Sequence, residues 1–335
     1  MRAMLLSHLA SLADEPEPLS LVELEKPEPG PGEILVAVST CGVCHTELDE
    51  IEGRTPPPAL PIVPGHQVVG RVVAAGAGAA RFTDGDRVGI GWIHASDGTQ
   101  NENLSPDFVA TGRDVNGGYA EFITVPEQYA YPIPAAFSDV DAAPLLCAGG
   151  VGFRSLVLAG LEDGAPLGLT GFGGSGHIVL QLARHLYPAS PVYVFARSAK
   201  ERLFAMELGA SWAGDTTDTP PDAPQAIIDT TPAWKPVLAA LEVLRPGGRL
   251  VINAIRKEAG DRELMASIRY EDHLWQEKEI KSVANVTRFD LEAFLPLAAE
   301  AGVRVETETY ALENANRALQ ELKKGGLKGA KVLVL

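Results

Sequence analysis

Cysteine is scarce in this chain of 335 residues, which has 3 of them, at positions 41, 44 and 147. An odd number of cysteines in a long chain argues against a disulfide framework and indicates a reducing compartment. No N-terminal stretch combines a basic region, an apolar region and a cleavage site, so we expect a cytoplasmic protein. No apolar run approaches the length of a membrane span, and we expect no membrane association.

Basic residues are also few. The chain has 28 Lys and Arg against 44 Asp and Glu, a formal net charge of −16. Such a charge repels phosphate backbones and anionic lipids, which argues against nucleic-acid and membrane partners. Any site for an anionic cofactor must therefore be locally basic or be built from backbone N–H groups. At 335 residues the chain is longer than chains that usually fold around a single hydrophobic core, so two domains are expected.

The pattern of predicted secondary structure changes near residue 145. Before it, short β-type runs at 33–38, 67–73 and 86–90 alternate with Gly and Pro and predict a twisted, mainly antiparallel β domain. The irregular segment 92–118 is expected to be a surface lobe of that domain. After residue 145, strands alternate with amphipathic helices, which is typical of βαβ units and a parallel sheet. The predicted strands of this part cover 165–170, 191–195, 226–229, 248–253 and 279–284, and its helices cover 177–186, 200–208 and 234–244. Helices over 290–301 and 313–324 and a strand over 330–335 follow.

A glycine-rich turn stands between the first strand of the second part and the helix after it. In this G-x-G-x-x-G pattern Gly171 makes the turn, Gly173 lets a pyrophosphate approach the backbone, and Gly176 allows close helix–strand packing. Gly174 and Ser175 complete the turn before the helix N-terminus, which faces the phosphates. We predict a dinucleotide site here, with an ordinary glycine-rich turn as the alternative.

The end of the next strand bears on which dinucleotide binds. NAD sites usually have an acid there that accepts from the ribose 2′-OH. Here the strand ends with Phe195, Ala196, Arg197 and Ser198, and no acid occurs before Glu201. A guanidinium and a hydroxyl suit a 2′-phosphate, so we predict that Arg197 and Ser198 favour NADP(H), with NAD(H) possible. The alternative is that Arg197 is a solvated loop residue.

The three cysteines and His66, which follows Gly65, have the chemistry of a metal site. Two thiolates and one imidazole suit a catalytic zinc whose fourth position stays open for water or substrate. The candidate ligands are far apart in sequence. The residues alone therefore leave two other interpretations open: buried free cysteines, or a Cys-x-x-Cys redox pair at Cys41 and Cys44.

Taken together, these motifs resemble those of the zinc-dependent alcohol dehydrogenases of the medium-chain dehydrogenase/reductase family, over essentially the whole length. The matching stretches are 41–46, 65–66, 70–72, 85–88, 117–121, 143–149 and the glycine turn at 171–176. Residues 65–70 and 194–198 are most similar to the bacterial branch that resembles cinnamyl alcohol dehydrogenases. The resemblance implies an α/β protein with a twisted, β-rich GroES-like catalytic domain over 1–146 and 286–335. A Rossmann domain with a doubly wound parallel sheet is implied over 147–285.

The resemblance also implies the zinc ligands. They are Cys44, His66 and Cys147, and Cys41 is left as a packed neighbour. In many relatives a lobe with four cysteines binds a second, structural zinc, but here residues 92–105 contain none. We therefore expect one catalytic zinc and no structural zinc. Gln67 stands where many relatives have Glu, so the site is expected to carry one negative charge less than in those relatives.

Four further roles follow from the resemblance. The hydroxyl of Thr46 is expected to take the proton of the alcohol, and His45 is expected near the cofactor pyrophosphate. Glu47 corresponds to the carboxylate that orients a ligating imidazole. Trp92 is expected as a wall of the substrate pocket, and a buried structural Trp is the alternative.

These expectations predict an enzyme that transfers hydride between a primary aliphatic or aromatic alcohol and NADP(H), with zinc as Lewis acid. Its partners are a small-molecule alcohol or aldehyde and further copies of itself in a homodimer or homotetramer. One alternative is a zinc-free quinone or enone reductase of the same superfamily, which has no need of three metal ligands. Another is a non-catalytic dinucleotide-sensing protein, which would bind cofactor without turnover.

Overall fold

Strands dominate the N-terminal part of the chain, and strands and helices alternate from about residue 148 onward. The computed structural model describes residues 1–325 and 329–335. Its strands are β1 (Arg2–Leu6), β2 (Leu19–Glu23), β3 (Glu33–Val43), β4 (Val68–Ala75), β5 (Arg87–Ile90), β6 (Ile93–Ala95), β7 (Val109–Ala110), β8 (Phe122–Pro126), β9 (Ala130–Pro132), β10 (Leu167–Thr170), β11 (Val192–Phe195), β12 (Trp212–Gly214), β13 (Ala226–Asp229), β14 (Arg249–Ile252), β15 (Glu279–Ser282), β16 (Thr307–Ala311) and β17 (Ala330–Val334). Its α-helices are α1 (His45–Ile51), α2 (Asp139–Ala142), α3 (Ala148–Ala159), α4 (Gly176–Leu186), α5 (Ala199–Glu207), α6 (Lys235–Val243), α7 (Tyr270–His273), α8 (Arg288–Glu300) and α9 (Ala315–Lys324).

The described residues form two compact units. Unit 1 comprises Met1–Gly150, Asn285–Ala299 and Arg304–Leu335, and unit 2 comprises Val151–Ala284 and Glu300–Val303. The catalytic and cofactor-binding roles assigned to 1–146 with 286–335 and to 147–285 stay predictions, and residues 326–328 lie outside the described part. No single helix in the described part is long and apolar enough to cross a membrane, and the one pair that passes together, Asp139–Leu146 with Ala148–Ala159, is bent by 44°.

Unit 1 is built on a sheet centred on β3. Among the described strands the order is β16-β17-β3-β4-β5-β9, and β8 also pairs with β3. The pairs are antiparallel, as predicted, except for β16 with β17. The last four residues of β3 are all buried, and this end of the strand leads directly into Cys44 and α1.

Unit 2 contains the predicted parallel sheet, and the predicted α/β fold class is confirmed. Its described strands lie in the order β12-β11-β10-β13-β14-β15, and every neighbouring pair is parallel. All residues of β10, β11 and β13 are buried, as expected for parallel strands covered on both faces. The strand order reverses between β10 and β13, and ligands of doubly wound sheets bind at the carboxyl ends of strands at such a point.

Four described helices, α1, α2, α3 and α7, are not predicted by the sequence pattern, and α1 and α3 are the longest of them. In α1 six of the seven residues are buried, including three acids, so the helix has no apolar stripe against a polar face. In α3 the glycines of the first turn weaken the local preference for a helix. Packing outweighs this preference, because side chains at Gly149 and Gly150 would lie 2.6 Å from Phe294 and 2.7 Å from Leu291.

A buried carboxylate stabilises the lobe, residues 92–118. Glu102 is fully buried, and its Oε1 accepts a hydrogen bond from the backbone N–H of Arg288 at 2.5 Å. Its Oε2 accepts from the hydroxyl of Tyr129 at 3.0 Å, and burial together with this bond raises the pKa of Tyr129 to about 12. The guanidinium of Arg288 donates in turn to the carbonyl of Gly98 at 3.1 Å. Polar contacts therefore tie the turn-rich lobe to the 3₁₀ turn Glu127–Tyr129, which precedes β9, and to α8.

We predict that Glu102→Ala lowers the free energy of unfolding by about 2–4 kcal/mol, because two buried donors lose their acceptor. Tyr129→Phe, which removes one hydrogen bond to a charged acceptor, should cost about 1.5–3 kcal/mol. Urea denaturation of the purified protein measures both values. The exposed Glu28 provides the control, since Glu28→Ala removes a carboxylate of equal charge. An unchanged stability for Glu102→Ala would contradict this account of the lobe.

Candidate functional site

Three side chains from separate parts of unit 1 meet at one point. The ligand atoms of Cys44, His66 and Cys147 all lie within 4.8 Å of one another, and Cys44 Sγ lies 3.7 Å from His66 Nε2. Cys44 follows β3, His66 precedes β4, and Cys147 follows a 3₁₀ turn over Ala143–Leu146. Two thiols and one imidazole at this spacing are the donor set of a zinc site that keeps one position open. No other His, Cys, Asp or Glu of the described residues joins this trio.

Glu47 connects two members of the trio. Cys44 is the N-cap of α1, and its Sγ accepts from the backbone N–H of Thr46 at 3.3 Å. Glu47 completes a capping box, because its Oε2 accepts from the backbone N–H of Cys44 at 2.8 Å. Its other oxygen, Oε1, lies 2.5 Å from His66 Nδ1. We assign the proton of the imidazole to Nδ1, which leaves Nε2 as the lone-pair donor beside the thiols.

The electrostatics of the trio favour a bound cation. Burial by itself lowers the pKa of His66, but the charges of Glu47 and Cys44 outweigh it and raise this pKa well above its usual value. A hydrogen bond with Cys147, followed by burial, raises the pKa of the Cys44 thiol well above its usual value. Thiolates at this point therefore require a positive charge to stabilise them, which a metal ion supplies.

The loop that carries His66 packs against glycine backbone. Gly65 has φ +101°, and a Cβ there would overlap the ring of Tyr119 and lie 3.0 Å from Cys41 Sγ. A Cβ at Gly112 would lie 2.7 Å from the amide nitrogen of Gly65. A side chain at either glycine would therefore displace His66. Cys41 is fully buried in this packing and lies outside the trio.

The other predicted residues of unit 1 surround the trio. His45 and Thr46 form the start of α1, where His45 is exposed and Thr46 is buried. The ring of Trp92 has its centroid 6.0 Å from that of His66, and the ring of Phe108 meets Trp92 edge-on at 5.6 Å. Trp92 is thus beside the candidate metal ligands, as a pocket wall requires.

Two further acids of α1 are buried near the trio, and the sequence pattern did not identify them. Asp49 is fully buried and forms an ion pair with Arg54 at 2.5 Å. Glu50 is 1% exposed, and neither carboxyl oxygen has a hydrogen-bond partner among the described residues. Burial and the neighbouring Glu47 raise the pKa of Glu50 well above its usual value. The sequence signal that could have indicated them is the presence of three acids, Glu47, Asp49 and Glu50, within the seven residues of α1.

In unit 2 the glycine turn joins β10 to α4. Gly171 has φ +78°, which only a residue without a side chain adopts at low cost. A Cβ at Gly176 would lie 2.8 Å from the carbonyl oxygen of Gly171, so helix and turn approach closely. A Cβ at Gly173 or Gly174 would meet nothing within 4 Å. The side chain of Ser175 makes no capping bond to α4. The turn thus presents open backbone at a helix N-terminus, where phosphates bind.

The predicted 2′-phosphate residues lie between β11 and α5. Arg197 is exposed, and Ser198 precedes α5 without a side-chain capping bond. The guanidinium of Arg202 donates to the carbonyls of Ala196 and Arg197 at 2.7 and 2.9 Å and so fixes the backbone of this loop. Arg202 is a second cation at this position that the sequence pattern did not single out.

Comparison with known proteins identifies the family. Residues 30–135 match the family model for the alcohol dehydrogenase GroES-like domain. A probable alcohol dehydrogenase, AdhA, of Mycobacterium tuberculosis is 43% identical over 329 residues, covering 95% of this chain and 93% of that protein. An alcohol dehydrogenase of Geobacillus stearothermophilus is 33% identical, covering 95% and 96%. The solved structure of a cinnamyl alcohol dehydrogenase, SbCAD4, of Sorghum bicolor superposes with a TM-score of 0.82 at 26% identity, covering 99% and 97%.

The chain belongs to the zinc-type alcohol dehydrogenases of the medium-chain dehydrogenase/reductase family. It is therefore an oxidoreductase, and the predicted resemblance is confirmed. In this alcohol dehydrogenase Gln67 is buried, and its carbonyl accepts from the amide of Gly42 at 2.9 Å. Its side chain packs on Gly42, where a Cβ would lie 2.7 Å from Gln67 Oε1. Gln67 thus occupies space that the glycine provides.

We predict that Glu47→Gln weakens zinc binding by about 10- to 100-fold, because the carboxylate beside His66 Nδ1 raises the basicity of the imidazole. The amide keeps an oxygen for the N–H of Cys44, so the helix cap is retained. Competition with a chromophoric chelator measures the affinity, and Glu28→Gln is the control for the loss of one charge. Equal zinc affinity in Glu47→Gln and the parent protein would show that Glu47 has no influence on the metal.

Proposed function

We propose that this alcohol dehydrogenase interconverts a primary aliphatic or aromatic alcohol and its aldehyde with NADP(H), using one zinc per chain held by Cys44, His66 and Cys147. The meeting of these three ligand atoms within 4.8 Å supports the proposal most directly. When bound there, zinc supplies a Lewis acid for the oxygen of the alcohol or aldehyde. A zinc-free quinone or enone reductase would have no use for this trio.

The residues around the trio have separate roles in this proposal. Glu47 keeps the proton on His66 Nδ1 and holds the ring in position. The backbone N–H of Thr46 stabilises the thiolate of Cys44. The hydroxyl of Thr46 would relay a proton: it accepts one from the alcohol while it donates its own towards the cofactor ribose and solvent, and the direction reverses during reduction. His45, exposed at the start of α1, contacts the cofactor pyrophosphate. Trp92 excludes water beside the trio.

The cofactor part of the proposal depends on unit 2. The open turn with Gly171, Gly173 and Gly176 supports pyrophosphate binding by backbone N–H groups, which suits a protein of net charge −16. Arg197 and Ser198 are proposed to bind the 2′-phosphate of NADP(H). The exposure of Arg197 and the absence of an acid at this strand end support that preference.

We also propose that this enzyme has no structural zinc. The hydrogen bonds of Glu102 to Arg288 and Tyr129 support this view, because they stabilise the lobe without a metal. A homodimer or homotetramer and a cytoplasmic location remain predictions from the sequence.

The metal proposal predicts about one zinc per chain in the purified protein, measured by elemental analysis. Cys44→Ser and Cys147→Ser should each lose the zinc and the alcohol-dependent reduction of NADP⁺, because two ligands cannot hold it. Cys41→Ala is the matched control, since it removes a buried thiol outside the trio and should retain the zinc. Two zinc ions per chain would contradict the absence of a structural site.

The cofactor proposal predicts a higher kcat/KM for NADP⁺ than for NAD⁺. Arg197→Ala should reduce kcat/KM for NADP⁺ by about 10- to 100-fold, because one charge-assisted hydrogen bond to the 2′-phosphate is lost. The kcat/KM for NAD⁺, which has no 2′-phosphate, should not change. Lys281→Ala, which removes an exposed cation of β15, is the control. A preference of the parent enzyme for NAD⁺ would refute the roles of Arg197 and Ser198.

A further inference from the structure

We propose that Arg113 is a specificity-determining residue, which favours alcohols and aldehydes that carry a carboxylate at the end remote from the reacting carbon. The inference rests on the proposed function, since it concerns the substrate that the metal trio would take. It arises from a cation fixed beside Trp92, in a protein of formal net charge −16.

The position of Arg113 follows from aromatic contacts. Its guanidinium carbon lies 5.8 Å from the ring centroid of Trp92 and 5.9 Å from that of Phe108, within the range of cation–π attraction. The ring of Trp92 lies 6.0 Å from the ring of His66. The two distances through Trp92 keep the guanidinium within about 12 Å of the imidazole. This separation is comparable to the length of a small bifunctional molecule.

The backbone around Arg113 is fixed by hydrogen bonds. The amide of Thr111 donates to the carbonyl of Trp92 at 2.8 Å, and the amide of Asp114 donates to the carbonyl of Ala110 at 2.9 Å. The carboxylate of Asp114 accepts from the amide of Ala110 at 2.7 Å and from two nitrogens of Arg113, Nε at 2.8 Å and Nη2 at 2.7 Å. Arg113 is thus held in one orientation before any ligand arrives, which reduces the entropy lost on binding.

The same contacts leave hydrogen-bond donors open. Asp114 uses Nε and one N–H of Nη2, and no described residue accepts from Nη1 of Arg113. The side chain of Arg113 is 27% exposed, so it is only partly covered by its neighbours. The indole N–H of Trp92, the residue whose ring Arg113 contacts, is buried and has no acceptor among the described residues. The free N–H groups of a guanidinium are suited to the oxygens of a carboxylate, with which they form charge-assisted hydrogen bonds.

Two acids lie near Arg113 and do not occupy these donors. Asp114 is already engaged through the other edge of the guanidinium. Glu50 is close enough for its charge to act on Arg113, but its oxygens accept no hydrogen bond from it or from any other described residue. A substrate carboxylate would therefore meet a guanidinium with one free edge.

The test compares aldehydes of equal length with and without a carboxylate. NADPH and one proton reduce succinate semialdehyde or butanal to the alcohol with release of NADP⁺, and adipate semialdehyde with hexanal extends the series. We expect the parent enzyme to have a higher kcat/KM for the semialdehyde of at least one pair. Arg113→Met should lower the ratio of charged to neutral substrate by about 10- to 100-fold, mainly through the KM of the charged one.

Further variants separate binding from a structural role of Arg113. Arg113→Lys should recover part of the preference, because the charge is retained without the planar group. Arg113→Met with Asp114→Asn removes the unpaired acid and should keep the activity on butanal while lacking the preference. Arg71→Met, which removes an exposed arginine of β4, should leave the ratio unchanged. An equal loss on both aldehydes in Arg113→Met and in the double variant would overturn the proposal in favour of a packing role.

A binding measurement makes the test independent of turnover. Isothermal titration of the zinc-loaded enzyme with butanoate should give a Kd about 10- to 100-fold higher in Arg113→Met than in the parent protein. An unchanged Kd would place the carboxylate on the metal alone and overturn the role of Arg113. If the parent enzyme reduces butanal but its preference does not depend on Arg113, only this inference fails. If it reduces none of these aldehydes, the proposed function fails and the titration still decides the role of Arg113.

Discussion

The candidate site depends on the two contacts of one buried carboxylate. Glu47 accepts from the amide of Cys44 through one oxygen, and its other oxygen lies beside His66 Nδ1. These contacts join the start of α1 to the loop before β4, so two of the three candidate ligands have a common reference point. A buried carboxylate is costly unless it is paired, and Glu47 has both a hydrogen-bond donor in the amide of Cys44 and an ion-pair partner in His66. The short helix α1 is thus stabilised by the site as much as the site is positioned by the helix.

Most of unit 2 could be predicted because its signals are local. The run Ala226–Asp229 has three consecutive apolar residues before its aspartate, and the helix Gly176–Leu186 has amphipathic periodicity. The bounds of both elements therefore agree with the predictions to within a few residues. Elements that depend on distant partners were missed. The first turn of Ala148–Ala159 contains glycines, which disfavour a helix in isolation. In the fold these glycines make room for the side chains of Phe294 and Leu291, a contact that a local pattern does not reveal. Likewise β12 and β16 are recognisable only beside their neighbours in a sheet.

The candidate site was predictable in its chemistry and only in part from the residues themselves. Cys44, His66 and Cys147 are separated by long stretches of chain, so their spacing did not exclude a redox pair or inert buried thiols. The family resemblance favoured a metal site over both alternatives. The structure brings the three together, while their roles await the metal measurements. Glu102 and Arg113 gave no signal, because a charged residue in a glycine- and turn-rich segment normally indicates a solvated loop. Their burial and contacts are tertiary properties that a local pattern does not contain.

The two arginines proposed to bind ligands differ in how far their side chains are fixed before the ligand binds. Arg197 is exposed, so a 2′-phosphate has to order its side chain, and the attraction is screened by salt. Arg113 is already held by Asp114 and by the rings of Trp92 and Phe108. A carboxylate that meets it loses less side-chain entropy and lies where screening is weaker. A rise in ionic strength should therefore weaken cofactor binding more than it weakens the selection of a charged substrate, although both depend on one guanidinium.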